Sequence, residues 1–473
     1  MSTDFTKGST IRHVTVMSFT SSIGIMAIYL VDLLDIFFVS MLGEKEIAAA
    51  AGFASTIMFY VSAVSIGISV AAGSLVAQHL GRGNLGTSRD VATASTLAGF
   101  VIGMAMPAAM LPFAGELVGF LGAEGEVAQL AVMYLWIVLP ASFLSAMSMA
   151  LVASLRAHGM ARWAMYPSLA GAGANLVFDP IFIFDWGLGL GLAGAAWATV
   201  MARIATFAIA FYGCTKVVQV IAKPTFQGFV TNLGAILTYA WPAIMSSLAA
   251  PIGLSLVTRF MTNYGTDAIA GLAIIGRLAP VVFSVVNALS SAIGPIIGQN
   301  FGAALHDRVF RAYFDAIKFL AIYTALAMAV LFVFREQISD FFGAQNDTRR
   351  LILFWCGPFA LINFFNGMLI VTGATFINIG HPTWSTLMNW GKNTFGLVVF
   401  AGVGSSLFGF YGLASGMMLN AAVFAGLSHL LALRFMHKAS QAGISETTED
   451  RDTFDFPDEE QHRAAEMRAP VHT

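Results

Sequence analysis

Two aspartates three residues apart, Asp32 and Asp35, interrupt the apolar run IYLVDLLDIFFVSMLG, and Asn175 and Asp179, four apart, interrupt NLVFDPIFIFDWG. A carboxylate within such a run costs several kcal/mol to insert into a bilayer, and such residues usually face a cavity and carry a task. Two carboxylates in one water-poor cavity repel each other and are poorly solvated; taking up a proton relieves both strains. That is the chemistry of a proton relay, with the amide of Asn175 one turn before Asp179 to tune it. The same oxygens suit Na+, and residue types alone do not separate the two ions. A structural role competes for Asp179, because it precedes Pro180, where a backbone carbonyl loses its partner and a polar side chain can cap the break. Asp32 lies on nearly the same helical face as Asp35, where it either shares the proton site or supports it.

These groups need a scaffold, and composition defines it. Of 473 residues, 57% are hydrophobic and 11% charged, and the mean hydropathy is +0.76. Soluble proteins are about 25% charged, and so little polar surface does not cover a water-soluble body of this size. A soluble enzyme, a nucleic-acid binder, a secreted disulfide scaffold and a disordered chain are all disfavoured. Long uninterrupted apolar stretches favour helices over a β-barrel. Twelve candidate spans run over about 11–40, 48–78, 92–120, 128–156, 163–185, 188–213, 231–260, 268–300, 310–340, 349–379, 383–405 and 409–436. The expected class is therefore an all-α membrane protein. Fifteen Lys and Arg fall on one side of these spans, Arg82, Arg89, Arg156, Arg162 and Lys216 among them, against Lys45, Arg335, Arg349 and Arg350 on the other. This bias predicts a multi-pass protein of the inner (cytoplasmic) membrane with both termini in the cytoplasm. Arg203, Arg277 and Lys392 lie within spans. Cys214 and Cys356 fall at opposite faces, which argues against a disulfide. The start, MSTDFTKGSTIRH, lacks the pattern of a cleaved signal.

The chain also repeats itself. EIAAAAGFAS…GSLVAQHLGRG resembles DAIAGLAIIGRLAP…GPIIGQNFGAA, with Gln78 and Gly81 matching Gln299 and Gly302 at an offset of 221 (299 − 78). Gly159 matches Gly380 at the same offset. The repeat predicts two six-helix lobes, 1–215 and 231–438, joined by a linker over 216–230, with an acidic disordered tail over 439–473. Two such bundles form a central cleft, a geometry used by alternating-access transporters. The halves differ where it matters: Asp35 faces Val257, Asn175 faces Gly396 and Asp179 faces Phe400, so only the first half carries the acidic site.

Forty Phe and 23 Met suit a cavity that accepts many shapes, although most such residues face lipid or pack helices. Trp136, Phe143, Met147, Phe178 and Phe182 lie nearest the acidic site along spans four and five, and are the cleft candidates. GLGLGLAGAA lacks the Lys of a phosphate loop; its small residues point instead to close helix packing. With no ATP motif and no metal-like histidine spacing, no cofactor is expected, and an ion gradient would drive transport.

DIFFVSMLGEKEIAAAAGFA, LRAHGMARWA, NLVFDPIFIF and GLAGAAWAT together resemble the MATE (multidrug and toxic compound extrusion) family over roughly residues 11–436. The acid in the first half alone is similar to its DinF-like branch. The resemblance implies two lobes around a V-shaped cleft, and a cation site at Asp35, Asn175 and Asp179 with Tyr134 and Thr199 as neighbours. Two positions depart from the family: Thr20 stands where a span-one proline is usual, and Val152 where a polar residue is frequent. The function expected is multidrug efflux by H+-coupled antiport. Its partners would be small-molecule drugs, organic cations and the lipid bilayer, and the protein would act as a monomer without nucleic acid. Na+ coupling is one alternative. A lipid-linked oligosaccharide flippase is another, disfavoured because its cleft should carry several Arg or Lys and the first-half spans offer only Arg203. A non-transporting scaffold would leave the buried acids without a purpose.

Overall fold

The computed structural model describes residues 4–42 and 45–445, with the side chain of Asp32 outside the described set. Every regular element among them is helical. The spans are α1 (Thr10–Ser40), α2 (Lys45–Gly81), α3 (Leu85–Phe120), α4 (Gly125–Ala157), α5 (Ala161–Ile183) and α6 (Gly191–Val217). The second set is α7 (Phe226–Tyr264), α8 (Asp267–Gly302, bent by 47° at Phe283), α9 (His306–Val333) and α10 (Pro358–Asn378). Then come α11 and α12, the two arms of Pro382–Gln441, which part at the non-helical Phe408 and Gly409. Nine helices among the described residues are long and apolar enough to cross a membrane, ten if the bent pair is one. Dividing the last at its kink and adding α5, whose apolar run is broken by Arg162 and Asp179, gives the twelve-span architecture.

The repeat has a physical meaning at the helix ends. Gly159 after α4 and Gly380 after α10 both take positive φ, 70° and 86°. Each lets the next residue close the helix: Met160 N–H donates to the Leu155 carbonyl, and His381 N–H to that of Phe376. Left-handed termination of this kind favours glycine. In GLGLGLAGAA, a side chain at Gly187 or Gly194 would run into the backbone of Ile181 or Phe182, so these small residues let α6 lie against α5.

The lobes meet at the end where α1 begins, called here the proximal end. α2 and α8 cross there with almost no room between backbones. A Cβ on Gly81 would stand 2.8 Å from the Gln299 carbonyl carbon, and one on Gly302 2.9 Å from that of Gln78. The two contacts are the repeat brought face to face. Residues ahead of α1 seal the junction. Phe5 is buried, its N–H donates to Gln299 Oε1, and its carbonyl accepts from Asn300 Nδ2 and Arg308 Nη2. Gln299 Nε2 donates in turn to the Ala157 carbonyl at the end of α4.

The structure departs from the expected boundaries in two places. The span expected over 349–379 is divided into Asn346–Trp355 and Pro358–Asn378, because Gly357 and Pro358 do not continue a helix. At the other end the tail was expected from 439, yet the helix runs on to Ser445. KASQAGIS contains no proline and tolerates helix as well as loop. Residues 446–473, the rest of that tail, lie outside the described residues.

Candidate coupling site in the first lobe

α1 and α5 pack side by side, and their contact places Asp35 against Asn175 and Asp179. Asp35 lies five residues before the end of α1, and Asp179 four before the end of α5. At 1.5 Å per residue both are within about 8 Å of the distal helix ends, far from the proximal junction. Asn175 Nδ2 donates to both oxygens of Asp35, at 3.0 and 3.3 Å. The Asp35 and Asp179 carboxyl groups are direct neighbours. Asp179 is 1% exposed and Asn175 7%. Asp179 Oδ2 and Asn175 Oδ1 are buried without a hydrogen-bond partner. Two adjacent acids and two unsatisfied oxygens in a buried setting make an acceptor-rich cluster, and buried acceptors without donors are costly unless a cation or proton joins them.

A cavity of about 800 Å3 opens on this cluster. Asp35, Asn175 and Asp179 line it together with Tyr134 of α4 and Thr199 of α6. Tyr134 Oη and Thr199 Oγ1 are 3.4 Å apart, and Thr199 donates to the Ala195 carbonyl one turn back. Phe59, Met58, Ser55 and Ser62 of α2 form another wall. Sequence reasoning did not single out these α2 residues, although their spacing of three and four puts them on one helical face. Among the described residues, no group of three or more His, Cys, Asp and Glu is arranged to hold a metal ion.

The expected cleft residues stand elsewhere. None of Trp136, Phe143, Met147, Phe178 and Phe182 lines this cavity. Trp136 is 54% exposed on the outside of the bundle. Phe178 and Phe182 pair with each other, ring centres 5.3 Å apart. Phe143 packs at the α3–α4 seam against Phe100 and Gly103, and the Met147 backbone lies along Gly99 in the same seam. The reason is angular: neighbours in sequence are 100° apart around a helix, so Phe178 points away from the cavity that Asp179 faces.

Arg156, counted among the basic residues on the cytoplasmic side, sits at that end but turns inward and lines two cavities. Arg203 lines the acidic cavity, with Nη1 held by the Val138 carbonyl at 2.8 Å and Ser142 Oγ at 3.4 Å. In the second lobe Arg277 is exposed and the Lys392 carbonyl accepts from Asn420; neither cation forms an ion pair among the described residues. Cys214 and Cys356 are free and buried.

Twelve helices in two repeated halves around a polar cavity with apolar walls form the architecture of a membrane transporter. The sequence model of the MatE family matches residues 20–181 and again 242–402, one match per lobe. The chain belongs to the MatE family, whose members are transporters and not enzymes. It is 26% identical over 415 residues to the FAD transporter of Shewanella oneidensis, covering 84% of this chain and 88% of that one. It is 26% identical over 386 residues to the multidrug export protein MepA of Staphylococcus aureus, covering 78% and 83%. Among solved structures, an outward-facing multidrug resistance MATE family transporter of the MOP superfamily superposes with a TM-score of 0.85 at 22% identity, covering 92% of this chain and 98% of that one. A MOP superfamily transporter from Pyrococcus furiosus superposes at 0.84, with 22% identity and the same coverage.

Proposed function

We propose that the protein exports cationic and amphiphilic organic compounds across the cytoplasmic membrane by H+-coupled antiport. The observation that carries this reading is the Asp35–Asn175–Asp179 cluster, with its unsatisfied oxygens, opening on a cavity of about 800 Å3. Substrate binds while the acids are ionised. A proton arriving from the distal side neutralises the pair, loosens the α1–α5 contact and releases the substrate. Coupling follows because each ligand binds the two states unequally. The location of the acids in the first lobe alone supports the DinF-like branch. The excess of Lys and Arg at the proximal end supports cytoplasmic termini. The names of the MepA relatives support drugs as cargo.

The test is efflux from proteoliposomes driven first by a proton gradient alone and then by a sodium gradient alone. Proton-driven efflux that is lost in Asp35→Asn and in Asp179→Asn is the expected result. Efflux driven only by sodium would transfer the same oxygens to Na+, and full activity of Asp35→Asn would end the assignment.

A further inference from the structure

Arg156 stands in the last turn of α4. Its side chain lines a cavity of about 410 Å3 inside the first lobe and one of about 390 Å3 between the lobes. Its Nε is buried and has no hydrogen-bond partner. Arg156 forms no ion pair, and no carboxylate lines either cavity among the described residues. A cation at a helix C-terminus gains about 0.3–1 kcal/mol from the helix dipole. Leaving a buried charge uncompensated costs several kcal/mol. The dipole alone therefore does not account for the position; the half-buried guanidinium faces two cavities, with its Nε unpartnered, where water or a counter-charge can reach it.

The surroundings describe what would bring that charge. The first-lobe cavity has apolar walls, Ile25, Ile28 and Val152 among them, and Arg203 at its other side. It shares Asn175, Thr199 and Arg203 with the acidic cavity, so the two adjoin. On the inter-lobe side Asn287, Ser290 and Asn378 add polar groups from the second half. Both volumes fall in the range of small-molecule sites, about 300–1,000 Å3. We propose that Arg156 receives an anionic group, phosphate or carboxylate, of an amphiphilic organic substrate whose apolar body lies in the first-lobe cavity. The cleft is thus bipolar, with Asp35 and Asp179 at its distal side and Arg156 at its proximal side, and it extends the proposed cargo from cations to zwitterions and organic anions. This deepens the transport reading, resting on it only for the statement that the cleft takes a substrate.

The test is equilibrium binding to the purified full chain in phosphatidylcholine nanodiscs, with no ion gradient. The probes are two pairs that differ by one phosphate: riboflavin 5′-phosphate with riboflavin, and 1-naphthyl phosphate with 1-naphthol. The wild type is expected to bind each phosphate at least tenfold more tightly than its parent alcohol. Arg156→Gln should bring that ratio near one while the parent alcohols still bind, and Arg156→Lys should keep most of it. Wild-type ratios near one, no binding of either phosphate, or ratios unchanged in Arg156→Gln overturn the proposal; the first two need no variant. Repeating the titration in phosphatidylglycerol nanodiscs separates the sources of the anion. An Arg156-dependent loss of phosphate affinity there assigns the subsite to a lipid headgroup, and no loss assigns it to a solute. Because no gradient is used, failure of proton coupling leaves this result standing, and failure of the anion preference leaves the coupling assay intact.

Discussion

In the proposed transport cycle the lobes part where the repeated glycines cross, so this crossing acts as a proximal gate and sets a measurable cost. In Gly302→Ala the new methyl would overlap the Gln78 carbonyl oxygen and stand 2.9 Å from its carbon, whereas ordinary contact begins at 3.4 Å. Relieving the carbon contact alone takes 3.4 − 2.9 = 0.5 Å of separation between α2 and α8, and the carbonyl oxygen demands more, with backbone on both sides and no flexible side chain to yield. Overpacking of this kind costs about 1–3 kcal/mol. At about 1.4 kcal/mol per factor of ten, the closed state of the proximal gate loses roughly 5- to 150-fold against the open one. The readout is the rate at which an impermeant maleimide, added from the proximal side, labels Ser290→Cys, a position lining the inter-lobe cavity. The background is Cys214→Ala and Cys356→Ala, which removes the two native thiols. The labelling rate follows the open population even when that population is small, so it should rise by the same factor. Gly81→Ala should act alike, and the double variant should fall well short of the product of the two, because one separation relieves both clashes. Unchanged labelling in both single variants, or rates that multiply in the double, would refute the reasoning.

Three further outcomes follow from the first lobe. Asn175→Leu removes the amide donor from both Asp35 oxygens; bonds to charged groups contribute about 1.5–3 kcal/mol, so proton-driven efflux should drop at least tenfold in protein that stays monodisperse. Phe59→Ala, in the cavity wall, should raise the KM for an aromatic drug several-fold, while Trp136→Ala and Phe178→Ala leave it within twofold. His158, in the turn after α4, is held below its ordinary pKa of 6.5, chiefly by burial and also by the Arg89 guanidinium, against the pull of the Ser154 carbonyl. The folded state therefore prefers the neutral ring, and stability present above pH 6.5 is lost as pH falls below it. His158→Gln should flatten the fall of Tm between about pH 6.5 and 5.

What the sequence disclosed depended on how sharply a residue contrasts with its surroundings. Asp35, Asn175 and Asp179 are polar within apolar runs, and the absence of counterparts in the second half marked them as a set. The repeat foretold the meeting of Gly81 with Gly302 only as an equivalence; which backbone each glycine touches became visible in three dimensions. The aromatic candidates failed because nearness along a helix says little about direction around it. The inward turn of Arg156 was hidden for a related reason: its long aliphatic stem lets a guanidinium near a helix end reach either water or the interior, and counting charges does not tell the two apart.

The short stretch ahead of the first helix is tied into the junction between the lobes. Phe5 and Gly8 are held by Gln299, Asn300 and Arg308, at the end of α8 and the start of α9, and Gln299 also grips the end of α4. If the proposed transport cycle parts the lobes at this end, it would unfasten this clasp as well as the close crossing at Gly81 and Gly302. A bulky partner fused to the start of the chain would pull on that clasp and skew the working cycle, whereas the same partner carried after α12 would leave it alone.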